Sequence, residues 1–232
     1  MPDLLTISPA SAFGGIFVGF IVLIVPWAVI RNRASALSMA WIPLGDRFYP
    51  MLIPQVFLGL IAVATGLAND IEMFPHRSPP LPGILAGALF LAVSVAVIKP
   101  HWRQSIEEGK PAWRLFAPTN RRERRLWVVL SLSAGVGEEL VWRGVLPALI
   151  VAWTGSLAGA VLISVTSFAL AHAIQGPKSV FAIAAIAAAF HALVFVSGSL
   201  YVGMVVHFVY DVVAGFTYAR FARELGRLAP AD

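Results

Sequence analysis

The chain has 232 residues, 59% of them hydrophobic and 12% charged, with a mean hydropathy of +0.81 and a net charge of +5. A soluble domain is about 45–50% apolar and about 25% charged, so these values exclude an ordinary soluble domain and indicate a polytopic membrane protein. The absence of cysteine excludes a disulfide framework and thiolate chemistry, and it leaves His and carboxylates as the ligands for any metal.

A membrane-crossing helix needs about 20 mostly apolar residues. Seven segments fit, near 11–30, 51–68, 83–98, 126–151, 155–173, 179–197 and 200–219. The residues before the first apolar run include Asp3 and no Lys or Arg, which argues against a cleaved signal peptide and for a retained first span. The stretch 35–45 suits the membrane interface. The expected fold is all-α: one membrane domain over 1–232, about seven spans, the N-terminus outside and the C-terminus cytoplasmic.

The basic residues agree with this layout. The four segments that would face the cytoplasm hold Arg31, Arg33 and Arg47; Lys99, Arg103, Lys110, Arg114, Arg121, Arg122, Arg124 and Arg125; Lys178; and Arg220, Arg223 and Arg227, which is 15 of the 17 Lys and Arg. Arg77 falls on the other side and Arg143 inside a span. Such asymmetry is the positive-inside pattern, so the net charge reports orientation, with no nucleic acid as a partner. Contact with anionic lipid headgroups is its second use. The basic segment 99–125, with Trp102, Trp113 and Phe116, is expected along the inner leaflet, where it helps present a substrate. His76 and His101 are expected in loops and carry no signal.

The fourth helix has a legible start, because Asn120 followed by Glu123 fits a capping box with Asn as the N-cap. Inside it, Glu139 and Arg143 stand at i and i+4 and are natural partners for a buried ion pair. Glu138 points about 100° away with no local partner, roughly 17 Å beyond Trp127, near the middle of a hydrocarbon core about 30 Å thick. A buried carboxylate of this kind suits general base work. Pro147 cannot donate to the carbonyl of Arg143, so a local distortion is expected there.

Two further i, i+4 pairs follow: Phe168 with His172 on the fifth span, and His207 with Asp211 on the seventh. Ionisable groups inside hydrocarbon are costly and mark functional sites. His191, in the Ala-rich sixth span, has no partner at motif spacing and reads as a buried or lipid-edge histidine.

The ordered set Glu-Glu-x-x-x-Arg, Phe-x-x-x-His and His-x-x-x-Asp on consecutive hydrophobic helices resembles the CPBP family of intramembrane proteases, which includes CAAX prenyl endopeptidases and bacteriocin-processing enzymes and is also called the Abi family. The resemblance covers residues 121–219, the expected catalytic core. The stretch Ser197-Gly-Ser-Leu-Tyr-Val-Gly-Met before His207 is also similar to the family's approach to its last histidine. The family's third motif ends in Asn or Asp, which Asp211 satisfies.

The resemblance implies that Glu138 is the catalytic carboxylate that activates water and that His172 is its partner. It implies that His207 and Asp211 bind a metal or stabilise the oxyanion. Glu139 and Arg143 are implied to be a structural pair, with Phe168 beside the site. Two mechanisms stay open: Zn2+ held by His172, His207 and Glu138 or Asp211, or metal-free activation of water by Glu138 and His172. The sequence lacks the His-Glu-x-x-His motif of helical zinc proteases. The implied activity is that of an intramembrane metalloendopeptidase acting on a peptide or protein substrate, of CAAX or leader/bacteriocin type, in a bacterial-type cytoplasmic membrane, with the site opening toward the cytoplasm. A proton-coupled transporter would also use intramembrane Glu, His and Asp, but the internal repeats common in transporters are not apparent. A non-catalytic scaffold or immunity protein of the same fold is the other alternative.

Overall fold

The computed structural model describes residues 9–38, 40, 47–74 and 78–228. Residues 39 and 41–45 of the stretch expected at the interface, and His76 and Arg77, lie outside the described residues. The described chain is all helical: α1 (Pro9–Gly19), α2 (Val25–Arg31), α3 (Arg33–Ser38), α4 (Tyr49–Ala68), α5 (Leu81–Glu107), α6 (Arg121–Glu139), α7 (Leu146–Thr154), α8 (Leu157–Ala171), α9 (Pro177–Ser197) and α10 (Leu200–Glu224).

Two of the rods are composite. A π-helical turn, Phe20–Ile24, joins α1 to α2, and another, Leu140–Val145, joins α6 to α7. Each precedes a proline, Pro26 or Pro147, which lacks an N–H and crowds the preceding turn, so the helix widens by one residue. The distortion expected at Pro147 is therefore a π turn. In the widened register Pro26 leaves the carbonyl of Ile21 without its backbone donor. The Ser167 hydroxyl on α8 donates to that carbonyl at 2.8 Å and accepts from Trp142 Nε1 at 3.1 Å. One hydroxyl thus ties three rods together at a point where hydrocarbon offers no water.

Among the described residues the longer helices make seven rods: α1 with α2, α4, α5, α6 with α7, α8, α9 and α10. Five are long and apolar enough to cross a membrane: Ala12–Arg31, Tyr49–Ala68, Leu81–Glu107, Pro177–Ser197 and Leu200–Glu224. The other two differ for separate reasons. The rod from Arg121 to Thr154 carries Glu138, Glu139 and Arg143 in its middle, and Leu157–Ala171 has only 15 residues, about 22 Å of helix. The outer surface is apolar: Ile16, Leu60, Leu89, Phe181 and Phe195 are all more than 60% exposed. Glu123, Glu138, Glu139 and Arg143 are buried. This inverted distribution is what lipid as solvent selects.

The connections separate into two groups. Arg33 reaches the carbonyl of Ile174, Arg47 bonds Ala117 O and Glu123, and Arg103 approaches Glu224 at 3.7 Å. The basic segments therefore meet at one end of the bundle. At the opposite end a Cβ on Gly14 would touch Asn69 and Trp153, and Phe74 stacks on Tyr201.

Three expectations are corrected. The helix of the third span does not end near 98, because α5 continues to Glu107 through Pro100, supported by Arg103–Glu107 and Gln104–Glu108 pairs one turn apart. His101 is consequently helical, not in a loop. Trp102 and Trp113 are buried and Phe116 is half-buried, so these aromatics turn into the bundle. They gain more from packing against Tyr210, Tyr218 and Trp127 than from lying on a leaflet.

Candidate active site

The site begins with the cap of α6. Asn120 Oδ1 accepts from the N–H of Glu123 at 2.9 Å, as the capping pattern predicts. The Glu123 carboxylate reaches back to the N–H and hydroxyl of Thr119 and accepts from Arg47, so the return half of the box lands one residue early. This buried pair fixes where α6 enters the bundle. One turn on, Trp127 packs against Phe48 and donates Nε1–H to the carbonyl of Asp211 at 2.9 Å. A start signal at the surface is thereby coupled to α10.

Small residues set the spacing of the rods. A Cβ on Gly135 would lie 2.8 Å from Phe208 N and 2.9 Å from Met204 O, so α6 and α10 are in backbone contact. On the other side Gly137 faces Gly59 of α4. These contacts carry Glu138 and Glu139 into the centre, where they are 4% and 0% exposed.

Glu139 pairs with Arg143, Oε1 to Nη1 at 3.1 Å, across the π turn. The same oxygen lies 2.9 Å from His207 Nδ1. The Arg143 guanidinium lies 4.4 Å from the ring centre of Phe168 and 5.1 Å from that of Phe190. A fully buried guanidinium is thus held between a carboxylate and two aromatic faces.

His172 caps the C-terminus of α8. Its Nδ1 is 2.8 Å from the carbonyl of Phe168, and its ring lies 4.4 Å from the Phe168 ring. A carbonyl can only accept, so Nδ1 carries the hydrogen and Nε2 faces away from the backbone. The same logic applies to His207, whose Nδ1 is anchored by Glu139. The two free Nε2 atoms converge on one oxygen: Glu138 Oε2 is 3.8 Å from His172 Nε2 and 3.7 Å from His207 Nε2. Asp211 Oδ2 stands 3.6 Å from His207 Nε2. Glu138, His172, His207 and Asp211 all line a single cavity of about 190 Å³, together with Arg143 and Phe168. The sequence-predicted residues are therefore brought together, from α6, α8 and α10.

Gln55 on α4 was not among them. Its amide donates to Glu138 Oε1 and its side chain lines the same cavity. It is a single amide in an otherwise apolar helix, which is a weak polarity signal with no motif attached. Phe190 was also missed, because one more aromatic in an apolar span carries no signal at all.

A second cavity of about 380 Å³ adjoins the first, sharing Trp102, Phe116, Gln175, Tyr210 and Tyr218 as walls. It is also lined by exposed His101, Gln104, Glu108, Lys110 and Lys178, at the basic end of the bundle. The Lys110 ammonium pairs with Glu108 there.

Among the described residues no three His, Asp or Glu donors converge as a metal-binding group. Two ligands each about 2.1 Å from zinc at a tetrahedral angle lie about 3.4 Å apart, closer than the 3.6–3.8 Å separations here. Anchoring of both Nδ1 atoms is an arrangement that zinc ligands also use. The donors as they stand are not a closed zinc shell.

Neither the curated proteins nor the solved structures compared with this chain include a match. Residues 121–213 match the family model described as type II CAAX prenyl endopeptidase Rce1-like. That segment contains α6 to α9 and the part of α10 that bears His207 and Asp211. The segment that holds Glu138, His172, His207 and Asp211 is thus similar to the Rce1-like type II CAAX prenyl endopeptidases.

Proposed function

We propose that this chain is an intramembrane endopeptidase in which Glu138 activates water for attack on a peptide carbonyl. The observation that carries this reading is the state of Glu138 Oε2: buried, without a hydrogen-bond partner among the described residues, and facing the Nε2 atoms of two histidines across a cavity. A buried acceptor left unsatisfied costs about 1–3 kcal/mol, and Glu138 Oε2, unlike the equally unpartnered Oε2 of Glu139, belongs to a residue that lines the cavity. A water molecule placed there satisfies it.

The chemistry then balances. The water oxygen bonds to the carbonyl carbon while one proton passes to Glu138 Oε2, with His172 Nε2 holding the water in line. The oxyanion forms beside His207, which in its protonated form offers Nε2–H to it, with Asp211 and Glu139 balancing the imidazolium. The C–N bond breaks as Glu138 returns the proton to the leaving amine, and the carboxylate is restored. General acid–base assistance of this kind is worth about 10²–10⁴-fold.

The substrate is a membrane-associated or cytoplasmic-side peptide of CAAX or leader type. It enters from the basic end through the second cavity, whose aromatic walls suit an extended apolar segment. That end faces the cytoplasm by the positive-inside rule. The lipid bilayer is the other partner.

The test uses purified protein with a library of membrane-anchored peptides. Cleavage that is lost in both Glu138→Ala and His172→Ala is the expected result. Cleavage that survives in both rejects the assignment. A transporter would instead show proton-coupled uptake in vesicles with no cleaved peptide.

A further inference from the structure

We propose that Gln55 is a positioning residue for the Glu138 carboxylate, supplied by a helix outside the segment that matches the protease family. The proposal rests on the reading of Glu138 as the water-activating base.

The Gln55 amide bonds one oxygen of Glu138 and leaves the other facing the histidines. An ionised carboxylate only accepts, so the contact is Nε2–H to Oε1. This removes the rotational choice between the two carboxylate oxygens: Oε1 is occupied, and Oε2 is presented to His172 and His207. A rotatable, unanchored carboxylate would exchange its oxygens and lose alignment with the water. The donor is uncharged. It therefore holds the carboxylate without the strong attraction of an ammonium or guanidinium, which would weaken Glu138 as a base.

The backbone explains how α4 can reach. A Cβ on Gly59 would sit 3.4 Å from the Cα of Gly137, and one on Gly137 would sit 3.3 Å from the carbonyl of Gln55. Helices α4 and α6 thus touch at the residue preceding Glu138, one turn from Gln55. Two glycines at the crossing bring a single amide to a single carboxylate. In an otherwise apolar helix an amide is costly unless it is bonded. The groups that face Glu138 are His172 from α8, His207 and Asp211 from α10, and Arg143 beyond the π turn. None of them contacts Oε1, so Gln55 alone among the described residues fixes that oxygen.

Two substitutions test this. Gln55→Met keeps the volume and removes the donor, and misalignment at this scale costs about 10- to 100-fold in kcat with KM nearly unchanged. The acidic limb of its kcat profile moves to higher pH, because a hydrogen bond to the charged form is gone. Gln55→Glu keeps the shape: protonated, it donates to Glu138; ionised, it repels it. Its activity is therefore retained on the acidic side and lost as pH rises, a profile that a packing role would not produce. A measurement without substrate accompanies them: infrared titration of the carboxyl band that disappears in Glu138→Gln, in detergent. The titration moves in Gln55→Met in the same sense as the kcat limb. Folded Gln55→Met protein with unchanged kcat, unchanged pH profile and an unmoved band overturns the proposal. Absence of cleavage by the unsubstituted protein overturns the endopeptidase reading instead, and the infrared titration then decides the positioning role by itself.

Discussion

Glu139 Oε1 lies 2.9 Å from His207 Nδ1 and also holds Arg143, so one buried carboxylate serves both a structural cation and a histidine of the cavity. Gly203 makes room for it: a Cβ there would be 3.1 Å from Glu139 Oε2. Each glutamate keeps one oxygen without a partner among the described residues, but Glu139 is held through Oε1 by Arg143 and His207, whereas Glu138 lines the cavity between the two histidines.

Substitution separates them. Glu139→Ala strands the buried Arg143 guanidinium and costs about 3–5 kcal/mol of stability. It also frees the His207 ring, so cleavage falls with it. Glu138→Gln removes a charge that is only half-satisfied, and stability is unchanged or improved while cleavage is lost. Thermal unfolding in detergent, measured alongside cleavage, checks both. A Glu138→Gln protein as unstable as Glu139→Ala would contradict the division.

These contrasts show how far the sequence could be read. Spacing at i and i+4 gave the Glu139–Arg143 pair, because both residues lie on one rod. It could not give the His207 bond to Glu139, which needs the α6–α10 packing enforced by Gly135. The π turn at Leu140–Val145 was legible from Pro147 as a distortion, but its type depends on the register that packing selects. Gln55 was invisible because its meaning lies in a glycine contact between α4 and α6. The extension of α5 to Glu107 was missed because hydropathy marks where a span leaves lipid, not where its helix ends.

Backbone contacts between α6 and α10 carry a second prediction. Gly135→Ala drives a methyl into Met204 O and Phe208 N, which are backbone atoms that cannot rotate away. Overpacking of this sort costs about 1–3 kcal/mol. Because Glu138 and His207 lie on the two rods that are pushed apart, kcat is expected to fall more than the loss of folded protein accounts for. Unfolding curves measured with single-turnover cleavage test it.

Gly215 gives a side-chain counterpart. A Cβ there would collide with the Trp127 indole, which donates to the carbonyl of Asp211. Gly215→Ala must expel the ring, whereas Trp127→Phe leaves the packing and removes only the hydrogen bond, worth about 0.5–1.5 kcal/mol. The expected order of Tm loss is Gly215→Ala greater than Trp127→Phe, with indole fluorescence reporting the displaced ring in the former.

Chelation addresses the role of a metal. The mechanism without one predicts full activity after exhaustive dialysis against a chelator, with no bound zinc by elemental analysis. Activity that disappears and returns on adding Zn2+ would assign His172 and His207 to a metal shell.

The most direct test of the central claim is a single-turnover assay on one cleaved membrane-anchored peptide, comparing the unsubstituted protein with Glu138→Gln and His172→Ala at matched folded concentration. The account predicts that the rate falls by about 10²-fold or more in each, with unchanged peptide binding. Cleavage at the parental rate in folded Glu138→Gln would contradict it.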